Sequence, residues 1–363
     1  MQNALFEQRL ENLKTVIDSN NQALLITNEK NIGYFCGFFH SEGYLLVTEK
    51  ETVLFVDFRY YEAALKKSSG CRVVCFTKLF KDLISELKNN SAVNVFFEAS
   101  DITVEKYSRF KKAFFENNIE CVCDVSLDHK IEEIRCIKDK SEIKKIAKAQ
   151  EITEKSYLEV LNYLKPGVSE RRVALELEHL IKLNGGEGVS FDLITITGKK
   201  TSLPHGVPSD DIVSEGDFFT FDIGSIFDGY HSDTTRTVAI KSADEEMKKV
   251  YDIVLKAQLA VLDSVKPGAK CSDVDKIARD IISENGYGKY FGHATGHGVG
   301  LDIHESPVVS PKSETVLKKG MIITDEPGIY LPGKFGVRIE DMLCVTDTGY
   351  KNFVSLPKEL IIV

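Results

Sequence analysis

The feature that most constrains the fold is an internal repeat in the second half of the chain. Residues 141–186 resemble residues 244–287, and each copy contains a Lys-Pro-Gly turn, at 165–167 and at 266–268, so the turns lie 101 residues apart (266 − 165). Each copy has the pattern of a long amphipathic helix, a Pro-Gly break, a second helix, a glycine exit and a strand-rich segment. The predicted caps of the two second helices are Ser169 with Arg172 and Ser272 with Asp275. A duplicated helix-helix-strand unit predicts a pseudo-twofold domain with its site in the cleft between the halves.

The first part of the chain has a different pattern. Residues 1 to 130 alternate short apolar segments with helical ones, which predicts a sheet flanked by helices. The predicted strands are 23–27, 43–48, 52–58, 73–76 and 93–99, and the predicted helices are 60–67 and 79–87. A charged run at 128–140 marks the boundary, so we predict two domains, 1–130 and 131–363.

Composition and charge exclude several classes of protein. The formal charge of −9 and the pI near 5.5 argue against nucleic acid or an anionic membrane as the main partner. Neither a signal-peptide pattern nor a run of about 18 apolar residues occurs. The eight cysteines show no disulfide rhythm and no C-x-x-C pair. We therefore expect a cytoplasmic protein with reduced thiols.

Four carboxylates and one imidazole in the second half are residue types of a metal site. Asp233 follows Asp222 by 11 positions, Glu340 follows Glu326 by 14, and His297 lies between the two pairs. An oxygen-rich set suits divalent manganese, cobalt, iron or zinc, whereas thiolates would dominate a structural zinc site. Such a cluster can polarise a carbonyl and deprotonate water at neutral pH. Taken alone, the two aspartates could instead cap loops.

A glycine-rich stretch at 291–305 carries His293, His297 and His304. So many glycines predict a strand or irregular backbone built for close approach. A phosphate-binding loop does not fit the glycine spacing, and the lack of a G-x-S-x-G elbow disfavours a serine hydrolase. Glu340 lies in a predicted strand with apolar flanks and needs a partner, which is either a metal or Arg338 in a plain ion pair.

Together these stretches resemble the pita-bread metallopeptidases, in particular the Xaa-Pro peptidase branch that contains aminopeptidase P and prolidase. The order Asp, Asp, His, Glu, Glu is the ligand order of that family. Residues 31–65 look like the N-terminal domain shared by creatinase and prolidase, and residues 135–150 look like the entry to the catalytic domain. The resemblance implies an α+β chain, in which a smaller mixed α/β domain precedes a C-terminal pita-bread fold with a pseudo-twofold repeat.

The resemblance also implies a ligand set for two divalent ions per chain, with manganese as the first choice and cobalt, iron or zinc as alternatives. Asp222 would bind one ion, His297 and Glu326 the other, and Asp233 and Glu340 would bridge both. Water held between the ions would be the nucleophile, and Glu326 would also be its base.

Four more residues match family positions beside the metals. His205 and His304 would hydrogen-bond the substrate and the tetrahedral intermediate, and His293 would line the N-terminal side of the scissile bond. Arg338 would lie behind the ligands and orient Asp233 or Glu340.

The implied activity is hydrolysis of the Xaa-Pro bond at the free amino terminus of short peptides with proline in second position, by a homodimer. Creatinase would lack the full carboxylate set, and methionine aminopeptidase would lack the N-terminal domain. A non-catalytic peptide-binding module remains a further alternative. Some prolidases carry an arginine shortly after the His-Glu pair, where this chain has Val308. That departure leaves an aminopeptidase acting on longer peptides as open as a dipeptidase.

Overall fold

The two parts of the chain fold around separate apolar cores. The computed structural model describes residues 2–39 and 42–363, and it divides into two units, Met1–Arg135 and Cys136–Val363. The predicted boundary at residue 130 lies within the last helix of the first unit, because the charged run around it is largely helical. In the described part of the chain, no helix is long and apolar enough to cross a bilayer.

The N-terminal unit contains a six-stranded mixed sheet. Its strands are β1 (Gln22–Ile26), β2 (Tyr44–Thr48), β3 (Thr52–Val56), β4 (Arg72–Cys75), β5 (Asn94–Phe97) and β6 (Glu120–Val122). Its helices are α1 (Gln2–Lys14), α2 (Glu29–Cys36), α3 (Phe58–Lys67), α4 (Leu79–Asn89), α5 (Val104–Phe115) and α6 (Ser126–Cys136). The strand order is β4-β3-β2-β1-β5-β6, with β1 antiparallel to β2 and parallel to β5. Val95 and Phe97 of the sheet pack with Leu83, Phe110 and Phe114 of two helices, so the predicted sheet with flanking helices is confirmed.

The C-terminal unit combines four helices with several small sheets. Its helices are α7 (Lys140–Val160), α8 (Glu170–Leu183), α9 (Glu245–Ser264) and α10 (Cys271–Glu284). Its first strands are β7 (Gly188–Val189), β8 (Ile194–Thr197), β9 (Phe218–Ile223), β10 (Ser225–Phe227), β11 (Tyr230–His231) and β12 (Thr234–Ala239). The later strands are β13 (Gly296–Gly298), β14 (Glu305–Val309), β15 (Ile322–Asp325), β16 (Gly328–Leu331), β17 (Phe335–Arg338), β18 (Asp341–Val345) and β19 (Tyr350–Asn352).

Two strand groups of this unit carry the candidate site. In the first half, β9 pairs antiparallel with both β8 and β12. In the second half, β15 pairs antiparallel with both β13 and β18. Val254 and Ala257 of α9 pack in the same buried cluster as Ile323 and Leu343 of the second strand group. The helices thus form the back of the sheets whose strand ends hold the functional side chains.

The internal repeat is confirmed as a structural duplication. Each half begins with a long helix and a shorter one, α7 with α8 and α9 with α10, joined by a Lys-Pro-Gly turn. Gly167 and Gly268 adopt positive φ angles of 93° and 89°, which favour glycine over residues with a side chain. Their amides make equivalent bonds, to Val213 O and Leu317 O, each at 2.9 Å.

The helix caps differ between the halves. Ser169 caps α8 by accepting the amide of Arg172, as predicted. The predicted cap at Ser272 is wrong, because α10 begins at Cys271 and the capping position is Lys270, whose side chain makes no capping hydrogen bond. Isolated backbone bridges show which residues correspond, since Lys270 pairs with Val316 as Ser169 pairs with Ile212. Lys270 is therefore the structural equivalent of Ser169.

We predict that Gly296→Ala destabilises the C-terminal unit while Gly292→Ala does not. A methyl group at Gly296 would overlap the carbonyl oxygen of Thr324 on β15, whereas one at Gly292 would meet nothing within 4 Å. Overpacking of this kind typically costs about 1–3 kcal/mol. Urea unfolding followed by circular dichroism should show a lower midpoint for Gly296→Ala only. Equal midpoints for the two variants would contradict the close packing of β13 on β15.

Candidate metal centre

The five predicted ligands meet in one cavity of the C-terminal unit. Asp222 lies near the end of β9, Asp233 directly precedes β12, and His297 lies in β13. Glu326 directly follows β15 and Glu340 directly precedes β18. The cavity has a volume of about 490 Å³ and is lined by all five residues. Asp233, His297 and Glu340 each offer a ligand atom within 4.8 Å of the other two.

His297 is held in the tautomer that a metal ligand requires. Its Nδ1 lies 3.1 Å from Gly298 O, and because a carbonyl only accepts, Nδ1 carries the proton. Nε2 therefore presents its lone pair, 3.4 Å from Glu326 Oε1 and 3.6 Å from Asp233 Oδ2. Burial lowers the pKa of His297 to about 4, so the ring is neutral at physiological pH. A neutral imidazole aimed at carboxylates is a preformed ligand rather than an ion-pair partner.

The charge balance of the cavity fits bound cations. Burial, followed by the charge of Asp222, raises the pKa of Asp233 well above its usual range, and burial with Asp233 does the same for Glu340. Burial raises the pKa of Glu326 to about 8. Acids crowded in this way are costly to ionise unless positive charge lies among them. The carboxylate oxygens and the single imidazole are the donor set that divalent cations would satisfy.

Arg338 is the one arginine or lysine that lines the cavity, and each nitrogen of its guanidinium donates a hydrogen bond. Nη2 donates to Asp222 Oδ2 at 2.5 Å, and Nη1 donates to the Tyr330 hydroxyl at 2.6 Å. Nε donates to the Thr235 hydroxyl at 3.1 Å, and that hydroxyl donates to Glu340 Oε2 at 2.7 Å. Arg338 thus fixes Asp222 directly and Glu340 through Thr235.

The structure differs from the sequence predictions in the strand around Glu340 and in the partner of Arg338. The predicted continuous strand around Glu340 is interrupted, because Arg338 ends β17 and Asp341 begins β18, which belong to different sheets. The alternative of a plain Arg338–Glu340 ion pair is not observed in residues 2–39 and 42–363, where Arg338 pairs with Asp222. The resemblance implied that Arg338 orients Asp233 or Glu340; in the structure it bonds Asp222 directly and Glu340 through Thr235.

His293 lines the cavity with both ring nitrogens occupied. Nδ1 donates to Ala294 O at 2.8 Å, so Nε2 accepts the hydroxyl proton of Tyr330 at 2.9 Å. Burial lowers the pKa of His293 to about 4, in keeping with this neutral form. His293 can therefore shape the cavity wall, but it has no ring nitrogen free for a substrate.

His205 and His304 are placed differently, because both lie exposed in the cavity. The ring of His304 meets that of His297 edge-on, with centroids 4.4 Å apart. Beside these polar groups the wall is largely apolar, and its side chains are Phe191, Leu193, Ile194, Val207 and Ile303. The cavity thus combines a floor of candidate metal ligands, two available imidazoles and a surface suited to a nonpolar group.

Several residues that support the site were not predicted. Thr235 connects Arg338 to Glu340, and Tyr330 connects Arg338 to His293. Behind Glu340, the carboxylate of Asp341 is a second hub; its partners are Arg236, Gln258, Asn352 and Lys358, at 2.8, 3.2, 2.6 and 2.8 Å. The signal for Asp341 was present, since a second acid between apolar strand residues also needs a partner.

Comparison with known proteins gives two family matches. Residues 144–347 match the model of metallopeptidase family M24, and residues 9–137 match the creatinase/prolidase N-terminal domain.

Individual relatives match over nearly their whole length. A Pyrococcus furiosus protein named Xaa-Pro dipeptidase is 40% identical over 357 residues, covering 98% of this chain and 100% of the relative. The solved structure of a Bacillus anthracis Xaa-Pro dipeptidase superposes with a TM-score of 0.95 at 38% identity, covering 99% of this chain and 100% of that one. An X-Pro aminopeptidase from Thermotoga maritima gives a TM-score of 0.88 at 33% identity, with coverage of 97% and 99%.

We predict that Thr235→Val weakens metal binding by about 10- to 100-fold, the usual effect of removing a hydrogen bond to a ligand. The change keeps the shape of the side chain but removes the bond to Glu340. Thr220→Val is the matched control, because its buried hydroxyl faces only Thr237, at 3.4 Å. Calorimetric titration of metal-free protein with Mn²⁺ measures both. Equal affinities in the two variants would show that Thr235 does not support the ligand set.

Proposed function

Because this chain belongs to metallopeptidase family M24, we propose that the carboxylate–histidine cavity is the active site of an Xaa-Pro exopeptidase. The enzyme removes the residue that precedes proline at the free amino terminus of a peptide. The observation that carries this proposal is the convergence of Asp222, Asp233, His297, Glu326 and Glu340 on one cavity. Full-length similarity to Xaa-Pro dipeptidases and to an X-Pro aminopeptidase supports the proline specificity.

The proposed ligand set holds two divalent ions per chain. Asp222 would hold one ion, His297 and Glu326 would hold the other, and Asp233 and Glu340 would be shared between them. The lone pair of His297 and the crowding of the acids support this assignment. The proposal includes manganese as the metal, a homodimer and a cytoplasmic location, all of which follow from the sequence analysis alone.

The chemistry supplied by bound divalent ions is polarisation of the scissile carbonyl and deprotonation of water near neutral pH. Glu326 would accept a proton from that water; its carboxylate lies 3.4 Å from His297 Nε2 and lines the cavity. His205 and His304, whose rings lie exposed in the cavity, donate N–H groups to the substrate carbonyl and to the oxyanion that develops from it. Arg338 holds Asp222 in place throughout.

The apolar wall accounts for proline recognition. A proline amide has no N–H and its ring fixes φ near −65°, so it presents a nonpolar surface that Phe191, Leu193, Val207 and Ile303 can cover. An alanine in its place would turn an N–H group towards these apolar side chains, which offer it no acceptor. The preference for proline over alanine therefore comes from the unpaired N–H group of alanine as much as from the shape of the proline ring.

Charge in the cavity favours peptides longer than dipeptides. The carboxylate of an Xaa-Pro dipeptide lies close to the scissile bond and would need a free cation. Arg338, the only arginine or lysine among the lining residues, is already bonded to Asp222, Tyr330, Thr235 and the carbonyl of Pro204. In Xaa-Pro-Yaa peptides that carboxylate lies further out, so we propose that they are the better substrates.

The first test of this function is its dependence on metal. We expect two divalent ions per chain by elemental analysis, loss of turnover on exhaustive chelation, and recovery with Mn²⁺. Asp233→Asn should abolish turnover and lower the metal content, because a bridging ligand loses its charge. Asp192→Asn is the control for metal content, since Asp192 lines the same cavity but is exposed and is not a ligand. Full activity of metal-free protein would refute the proposal.

The second test is specificity. We expect kcat/KM for Xaa-Pro-Yaa to exceed that for Xaa-Ala-Yaa by about 10- to 200-fold, as an unpaired amide costs roughly 1–3 kcal/mol. Amino-terminal acetylation should prevent cleavage, and Xaa-Pro dipeptides should be cleaved more slowly than tripeptides. Equal rates on Met-Ala-Ser and Xaa-Pro-Yaa peptides would indicate a methionine aminopeptidase-like activity. Absence of cleavage of either peptide would indicate a binding module.

A further inference from the structure

His304 lacks any side-chain anchor of its own. Its imidazole contacts the ring of His297, and within residues 2–39 and 42–363 it makes no hydrogen bond. The backbone that carries it comes from the glycine-rich stretch, in which Gly296, Gly298 and Gly300 precede it. Glycine-rich backbone has high conformational freedom. A ring that must meet a substrate at a fixed point therefore needs its main chain held by other means.

The side chain of the neighbouring residue, Glu305, is buried and hydrogen-bonded. Its side chain is 8% exposed, and Oε1 accepts the amide of Asp302 at 3.0 Å. Oε2 accepts Lys138 Nζ at 3.0 Å. A methyl group at Gly300 would lie 2.5 Å from Oε2, so the carboxylate packs directly on the backbone of residue 300. The side chain of Glu305 thus joins the last residue of the loop 300–305 to the backbone of residues 300 and 302.

The side chain of Lys138 is buried, like that of its partner Glu305. Its side chain is 1% exposed, and its own amide donates to Gly320 O at 2.9 Å, next to the strand group that carries Glu326. Lys138 therefore connects the start of the catalytic unit to the loop that presents His304. Charges buried in this way keep one geometry, because either group alone would be unpaired away from water.

We propose that Lys138 and Glu305 are positioning residues, whose buried ion pair fixes the loop 300–305 and thereby the direction of the His304 ring. This inference rests on the proposed function, since it assigns His304 a task at the substrate. It also predicts a physical property of the loop that does not depend on any activity. Neither residue lines the cavity, so we assign both an indirect effect, through the backbone of residues 300–305.

The test uses Lys138→Met, which removes the charge but keeps the length of the side chain. We expect kcat on an Xaa-Pro-Yaa peptide to fall about 10- to 100-fold while the metal content stays at the wild-type level. Lys138→Arg should recover most of the loss. Lys145→Met is the matched control, because Lys145 also pairs with an acid, Asp228, but at the surface of the same unit. That variant should retain wild-type kcat.

Two readouts separate positioning from general damage. In a His304→Ala background, Lys138→Met should cause no further loss of kcat, because the ring that it positions is gone. Hydrogen exchange of the peptide covering 300–305, which includes the Asp302 amide, should become at least tenfold faster in Lys138→Met. If Lys138→Met folds poorly, the double variant Lys138→Met/Glu305→Leu removes both charges together and should show the same faster exchange.

The inference fails if exchange in 300–305 is unchanged, or if the loss of kcat persists in the His304→Ala background. Wild-type protein that cleaves no proline peptide would instead refute the proposed function. In that event hydrogen exchange still decides whether the ion pair holds the loop, so the two failures remain distinct.

Discussion

Repulsion between buried carboxylates is the constraint on which the catalytic unit depends. Asp222, Asp233, Glu326 and Glu340 lie around one cavity, and a single arginine provides the only fixed positive charge among the lining residues. Such an arrangement persists only where the surrounding fold holds each acid in place. The strand ends of two separate sheets do this, and Arg338 and Thr235 add hydrogen bonds to the acids on either side of the cavity. The fold therefore holds these carboxylates close together despite their mutual repulsion, in an arrangement that can bind cations.

A second polar layer lies directly behind this one and fixes the backbone. Arg236 is fully buried and donates to Glu340 O at 2.6 Å and to Asp341 Oδ1 at 2.8 Å. The same guanidinium binds the carbonyl oxygens of Leu356 and Pro357. Arginine suits this role because its planar group carries five donors in a fixed arrangement. The position of Glu340 therefore depends on Arg236, which is far from it in sequence, and through Arg236 on a segment near the C-terminus.

Sequence patterns predicted what depends on local periodicity and on residue type. The repeat, the N-terminal sheet and the grouping of acids and histidines could all be read directly, because each has a signal within a short window. Partners across the fold had no such signal. The pairing of Arg338 with Asp222 joins β17 to β9 across different sheets, and no spacing in the sequence indicates it. The misplaced cap at Ser272 has a different cause, since counting from the Lys-Pro-Gly turns would have selected Lys270. The tautomers of His293 and His297 follow from neighbouring carbonyl groups, which only the folded backbone specifies.

The equivalence of the two halves bears on the origin of the site. Each half supplies two of the four carboxylates from one antiparallel strand group, Asp222 and Asp233 from the first, Glu326 and Glu340 from the second. An ancestor of half this length would have carried two of the four acids, whereas two copies meeting face to face would have carried all four. Gene fusion would then have joined the two copies in one chain, after which their sequences could diverge. The present difference between the halves fits such a history, since only the second half contains the glycine-rich loop with His297 and His304.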